Sequence, residues 1–206
     1  MTLQEIAPDT ADVLLTRSAS WISAVTCWVT GMASHQATSY DAANLVEANA
    51  DDGHIDKVAW ADKLAAMDAD KTEWILFRWI RPVLTDVLRS AVQRDLDETV
   101  QFEKYSYLEL PLQAADALLN RCILRRPRQG LDSVVFRRLD TIWSKGVICS
   151  ETSNRALIKN GFIPGDSGLV YGSPSDTYRW LCHQTLQIFP PVRVAAHSDG
   201  WFRHAV

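Results

Sequence analysis

The chain has 206 residues, 47% of them apolar and 22% charged, the balance of a folded globular protein rather than a disordered one. That length suits one domain with a substantial core, and a net charge of −4 excludes a general nucleic-acid binder, which needs a basic surface against phosphates. The 4 cysteines, Cys27, Cys122, Cys149 and Cys182, lie far apart with no CxxC pair and no Cys/His cluster, which excludes the usual structural zinc patterns.

In chain order, Asp12 to Thr16 is a short apolar run expected to form a buried strand. Ser18 caps a helix carrying Trp21, Ile22, Val25, Trp28 and Val29 on one stripe, with Gly31 at its end. Ser34–Tyr40 and Asn44–Asn49, separated by Asp41-Ala42-Ala43, read as a β-hairpin. Glu73–Trp79 is a further strand, and Pro82 suits the first turn of a helix running to about Leu96. Helices are predicted over Leu110–Ile123 and Asp132–Lys145. The apolar run Gly146-Val147-Ile148 then leads through Cys149 into a helix over Glu151–Asn160, stopped by Gly161. Ser173-Pro174-Ser175-Asp176 starts another helix, and Leu186–Phe189 reads as a last strand before the double proline. This order predicts a single α+β domain over residues 1–206 with a central antiparallel sheet flanked by helices, a core over about 11–190 and a C-terminal tail over 191–206. Arg121, Arg125, Arg126 and Arg128 read as a solvated helix end, with contact to an anionic partner as the alternative, and the tryptophans read as core, with Trp201 in the polar tail a candidate for covering a groove or a partner.

Cys149 carries the strongest chemical signal. At a strand-to-helix junction its thiol meets unpaired helix N–H groups and the positive end of the helix dipole, and both favour the thiolate. A cysteine nucleophile also needs a base, itself oriented by a third group. Of the 5 histidines, His197 and His204 lie in the polar tail, His183 follows a helix as a C-terminal cation, and His54 belongs to a turn. His35, opening the small-residue strand Ser34–Thr38, is the histidine that a rigid sheet can aim. Glu47 shares its face if the hairpin turns about Asp41, which sets the two residues directly opposite each other. A two-residue turn at Ala42-Ala43 would place them on opposite faces. An isolated strand histidine also serves as a packed structural residue, and Glu47 as a solvated strand carboxylate; the spacing leaves both alternatives open.

Together these segments resemble the circularly permuted papain-like amidases of the NlpC type, the YaeF/YiiX-like group. The family's GDILL-like strand corresponds to Asp12-Val13-Leu14-Leu15 and its SH strand to Ser34-His35. Glu47-Ala48, Trp74–Arg78 and Cys149-Ser150-Glu151 follow in the family's order, and Ser173–Asp176 is similar to its TP-D segment. The resemblance covers about Ala11 to Asp176 and implies a permuted papain-like fold in which the histidine precedes the cysteine. It implies Cys149 as nucleophile, His35 as general base and Glu47 as the orienting group of a Cys-His-Glu triad. The sequence departs from the pattern at Ala11, where the family has glycine, and at Thr152-Ser153, where it has apolar residues.

The expected function is that of a cysteine hydrolase, an amidase, peptidase or acyl hydrolase working through a thioacyl-enzyme without metal or organic cofactor. Peptidoglycan-type peptides, cellular peptides and lipid-linked acyl groups all remain open as substrates. Two alternatives belong to other classes: a non-catalytic papain-like module that binds a peptide or lipid, and a structural phage or assembly component. No basic n-region, secretory signal or run near the ~18 apolar residues of a membrane span is present, so a cytoplasmic location is expected, with export or release left to a phage or secretion system.

Overall fold

A computed structural model of the chain describes residues 3–20, 23–24, 26–27, 33–49, 53–104, 149–182 and 191–197. The helices expected over Leu110–Ile123 and Asp132–Lys145, the 146–148 run, the Leu186–Phe189 strand, the arginine cluster, Cys122, His183, Trp201 and His204 lie outside these residues. Of the helix expected after Ser18, residues Ser23, Ala24, Thr26 and Cys27 are described, and they are helical.

The domain is α+β. Strands β1 (Val13–Arg17), β2 (His35–Ser39), β3 (Asn44–Ala48), β4 (Ile55–Ala59), β5 (Glu73–Trp79) and β6 (Pro191–His197) form one sheet in the order β4-β3-β2-β1-β5-β6. Every neighbouring pair is antiparallel. The period-2 alternation of a strand divides the apolar residues between two faces. Leu14, Ala37, Leu45, Trp74 and Leu76 pack on one face with Ile6, Trp60 and Met67. Val13, Leu15, Val46, Ile75, Phe77 and Trp79 pack on the other with Val92, Leu96, Leu157 and Tyr178. Because both faces are covered, β1 and β5 carry almost continuous apolar runs rather than a polar alternation.

Helices α1 (Leu3–Ile6) and α2 (Trp60–Ala69) contribute Ile6, Trp60 and Met67 to the first face. The second is covered by α3 (Asp86–Phe102), α4 (Cys149–Lys159) and α5 (Pro174–Cys182). The α3 and α4 helices are tied by buried Asp95, whose carboxylate accepts from Lys159 Nζ (2.6 Å) and Asn160 Nδ2 (2.7 Å). Gly161, at φ +76°, ends α4 as expected: nothing lies within 4 Å of where its Cβ would stand, so the left-handed backbone rather than crowding calls for glycine.

Four expectations are corrected. Pro82 does not start a helix; it follows a cis Arg81–Pro82 bond, and α3 begins later, where Thr85 Oγ1 accepts from Leu88 N (3.3 Å). The β4–α2 unit was not expected at all. Its helix starts at Ala59 with no side-chain cap, and its two buried residues, Trp60 and Met67, are too sparse to mark a periodic stripe. Trp60 anchors it instead, donating Nε1–H to Ser39 Oγ (3.0 Å) and its backbone N–H to Ala43 O (2.8 Å). At the other end of the chain, residues 191–197 are not tail but edge strand β6, with His197 paired to Trp74. Pro191 is compatible with this place, since the first residue of an edge strand needs no ladder donor.

The last correction concerns the hairpin. Glu47 pairs with Ala37, Val46 with Thr38 and Leu45 with Ser39, so the hairpin turns about Ala42 rather than Asp41. Asp41 opens the turn: its Oδ1 accepts from the N–H groups of Ala43 (2.8 Å) and Asn44 (2.7 Å), while Tyr40 N donates to Asn44 O (2.9 Å). The shift is two residues in register, and an even shift preserves the face. His35 is therefore a diagonal neighbour of Glu47 on the same face, not its direct partner.

Candidate active site

His35 is the first residue of β2, paired with Thr16 of β1. The chain entering β2 is pinned on both sides. Ser34 N donates to Thr16 O (2.9 Å), and Ser23 Oγ donates to Ser34 Oγ (2.6 Å). One residue earlier, Ala33 N donates to Ser175 Oγ (2.9 Å), which returns its own hydrogen to Ala33 O (2.8 Å). Ser175 sits at the start of α5, where Asp176 Oδ2 accepts from the N–H and hydroxyl of Ser173 and Asp176 N donates back to Ser173 Oγ, a closed cap. The Ser173–Asp176 segment thus starts α5 and holds the entry to β2.

Glu47 reaches the imidazole from β3. Its Oε2 lies 2.8 Å from His35 Nε2, and the directly opposed residue, Ala37, is small enough to leave the diagonal path open. The second ring nitrogen remains for Cys149, at the start of α4, whose sulfur hydrogen-bonds with the imidazole. The backbone N–H groups of Gln36 and Ser150 also point hydrogen bonds at that sulfur. Gln36 serves a second purpose on the other face of β2. Its Nε2 donates to Asn154 Oδ1 (2.9 Å), and Asn154 Nδ2 donates in turn to Leu169 O (2.7 Å) and Thr177 Oγ1 (3.0 Å). The histidine strand and the cysteine helix are therefore stitched together one residue from His35 and five from Cys149.

The electrostatics follow from this packing. Burial opposes charge on His35, but the Cys149 sulfur and the Glu47 carboxylate more than reverse it and raise the imidazole from 6.5 to about 9. Burial likewise pushes the Cys149 thiol up, and His35 with the two backbone N–H groups outweighs that, so the thiol titrates below its ordinary value. Glu47 is buried too, yet His35 and Lys63 hold its carboxyl down from 4.5 to about 2. The raised imidazole and the lowered thiol both favour a thiolate–imidazolium pair, with the Glu47 carboxylate ionised beside it.

Lys63, from α2, is the site residue that sequence reasoning missed. Its Nζ stands 2.5 Å from Glu47 Oε2, the same oxygen that binds His35. Since α2 itself carried no readable signal, nothing in the sequence directed this lysine inward. Gln36, Asn154 and Ser175 were also missed, because buried amides and hydroxyls announce themselves only through their partners.

A cavity of about 350 Å³ opens beside the thiol, lined by Cys149, His35, Glu47 and Lys63 and by hydroxyl groups from Thr16, Ser18, Ser20, Ser23, Thr26, Ser34 and Thr72. Among the described residues, Ala48, Ala66 and Met67 add apolar surface to the lining. A second recess of about 280 Å³ lies between α3 and α4, away from the thiol, and its Lys159 and Arg155 are paired with Asp95, Glu98 and Glu103. His54 precedes β4 beside Gly53 and is not among the residues lining the cavity at Cys149. Cys27 is buried and its thiol is pushed up by that burial, so it lacks the activation seen at Cys149. Among the described residues no group of three or more His, Cys, Asp or Glu is placed to hold a metal ion, and no helix is long and apolar enough to cross a membrane.

No protein-family model matches the chain, and no curated protein matches it.

Proposed function

We propose that the protein is a cysteine hydrolase with a circularly permuted papain-like fold of the NlpC type, acting on an amide or ester. The observation that carries this reading is the placement of one imidazole between a buried thiol and a buried carboxylate. Such a chain of groups stores the nucleophile as thiolate and the acid as imidazolium in the same resting state. Cys149 Sγ attacks the substrate carbonyl carbon, and the electron pair of the C=O bond moves to oxygen. Collapse of this tetrahedral adduct breaks the bond to the leaving amine or alcohol, which takes the proton from His35. Neutral His35 then removes a proton from water as it attacks the thioester, and the acid product leaves with the thiolate–imidazolium pair restored. Glu47 fixes the ring orientation throughout. The backbone N–H at the start of α4 is the natural donor for the oxyanion, a role worth up to ~4 kcal/mol when well aimed.

One observation favours a second reading, a non-catalytic peptide-binding module: Cys149 is only 5% exposed and joins the core cluster, as a packed free cysteine does. Iodoacetamide separates the two. The hydrolase reading expects fast alkylation of Cys149 well below the ordinary thiol pKa, lost in His35→Ala, and labelling by a peptidyl acyl probe in wild type but not in Cys149→Ser. Slow alkylation indifferent to His35→Ala, with no probe labelling, would leave the binding module.

A further inference from the structure

Two cations from different elements share one oxygen atom. His35 Nε2 from β2 and Lys63 Nζ from α2 both bind Glu47 Oε2, at 2.8 and 2.5 Å. Lys63 is only 18% exposed, although a lysine on a peripheral helix could turn its ammonium to water at little cost. It lines the same cavity as Cys149. We propose that Lys63 is a positioning residue of this site: it holds Glu47 with Oε2 aimed at the imidazole and, through its charge, sets the pH range over which the thiolate–imidazolium pair exists. The inference rests on the cysteine-hydrolase reading and deepens it.

The physical case has a mechanical and an electrostatic part. A glutamate has three side-chain torsions, and a carboxylate tethered at one oxygen by a histidine alone can swing about that contact. The ammonium on α2 removes this freedom by fixing the same oxygen from a second direction. The titratable groups facing Glu47 are His35 from β2, Lys63 from α2, Cys149 from α4 and Asp56, which stands opposite Glu47 in the register of β4, with Asp70 on the cavity wall. Without Lys63 this group carries thiolate, imidazolium and carboxylate against Asp56 and Asp70, an excess of negative charge in a half-buried space. Removing a cation raises the proton affinity of every acid near it, most for the closest. The order of response is therefore Glu47, then His35, then Cys149.

The test compares wild type with Lys63→Met, Lys63→Gln and Lys63→Arg, each checked for folding by circular dichroism. His35 is titrated by NMR of its ring Cε1–H, and Cys149 by the pH dependence of alkylation with iodoacetamide. Both neutral variants should move the His35 titration up by about one pH unit and the acid limb of alkylation up by about half a unit, while Lys63→Arg keeps the wild-type curves. Superimposable curves for wild type and the neutral variants would overturn the role of Lys63 and leave the hydrolase reading intact. Loss of fold in both neutral variants would overturn it as well, by making Lys63 a structural clamp. A wild-type Cys149 that alkylates only near the ordinary thiol pKa removes the hydrolase reading, and this inference with it.

Discussion

Gln36 and Asn154 meet through a buried 2.9 Å hydrogen bond, and this bond ties the strand that carries His35 to the helix that carries Cys149. Neither residue touches the cavity. Both are fully buried, so the side chains act as a spacer that water cannot replace.

Asn154→Ala should therefore cost more than an ordinary hydrogen bond. It removes the partner of the Gln36 amide and of Thr177 Oγ1 in the core and one of the two donors to the Leu169 carbonyl, which keeps Gly172 N, a loss of about 2–3 kcal/mol. Urea denaturation at pH 7 measures it. A loss below about 1 kcal/mol would mean that the surrounding residues close over the gap and that the spacer is dispensable.

Glu47→Gln tests the carboxylate by charge alone, since the amide keeps the size and one acceptor oxygen. Glu47 raises His35, so removing its charge should bring the imidazole down from about 9 by roughly one to two pH units. The direction is opposite to that expected for the neutral Lys63 variants. In a pH–rate profile for any substrate turned over by the wild type, the alkaline limb reports imidazolium loss and should fall accordingly. An unmoved limb would show that Cys149 alone sets the state of His35.

Arg78 and Asp12 give a prediction about stability rather than turnover. Asp12 is 1% exposed, and its carboxylate accepts from Arg78 Nη2 (2.7 Å) and Asp9 N (2.8 Å). Burial raises its pKa from 3.8 to about 6 against the pull of Arg78. A carboxyl raised in the folded state stabilises the fold below its unfolded pKa and loses that contribution as pH climbs through its folded one. Without Arg78 the folded pKa rises further and the loss extends to higher pH. Arg78→Met should thus destabilise by about 3 kcal/mol at pH 7 and by distinctly less at pH 5, where Asp12 is protonated and needs no counterion. Equal losses at the two pH values would contradict a charge-based role for the pair.

Much of the fold could be read from local pattern. β5 matches its predicted bounds, β1 to β3 and α4 lie within a residue or two of theirs, and Gly161 stops α4 where a left-handed residue is needed. These segments carry strong short-range signals, either dense apolar alternation or a breaker. The β4–α2 unit carries neither, because its helix is held by two tryptophan hydrogen bonds across the sheet instead of by a cap and a stripe. Pro82 misled for a related reason: φ compatible with a helix start does not compel one.

The candidate site divides in the same way. The candidate groups were legible locally, since a thiol at a helix start, a histidine at a strand start and a carboxylate on the following strand are short-range features. The tertiary structure decided how they meet. Register placed Glu47 diagonal to His35, one step along the hairpin from the expected centre, and left the parity that keeps both on one face. Long-range packing brought α4 against β2 and turned Lys63 inward from α2. Local sequence sets conformations over a few residues, but a hydrogen-bond partner over a hundred positions away is selected only when the whole sheet closes its two faces.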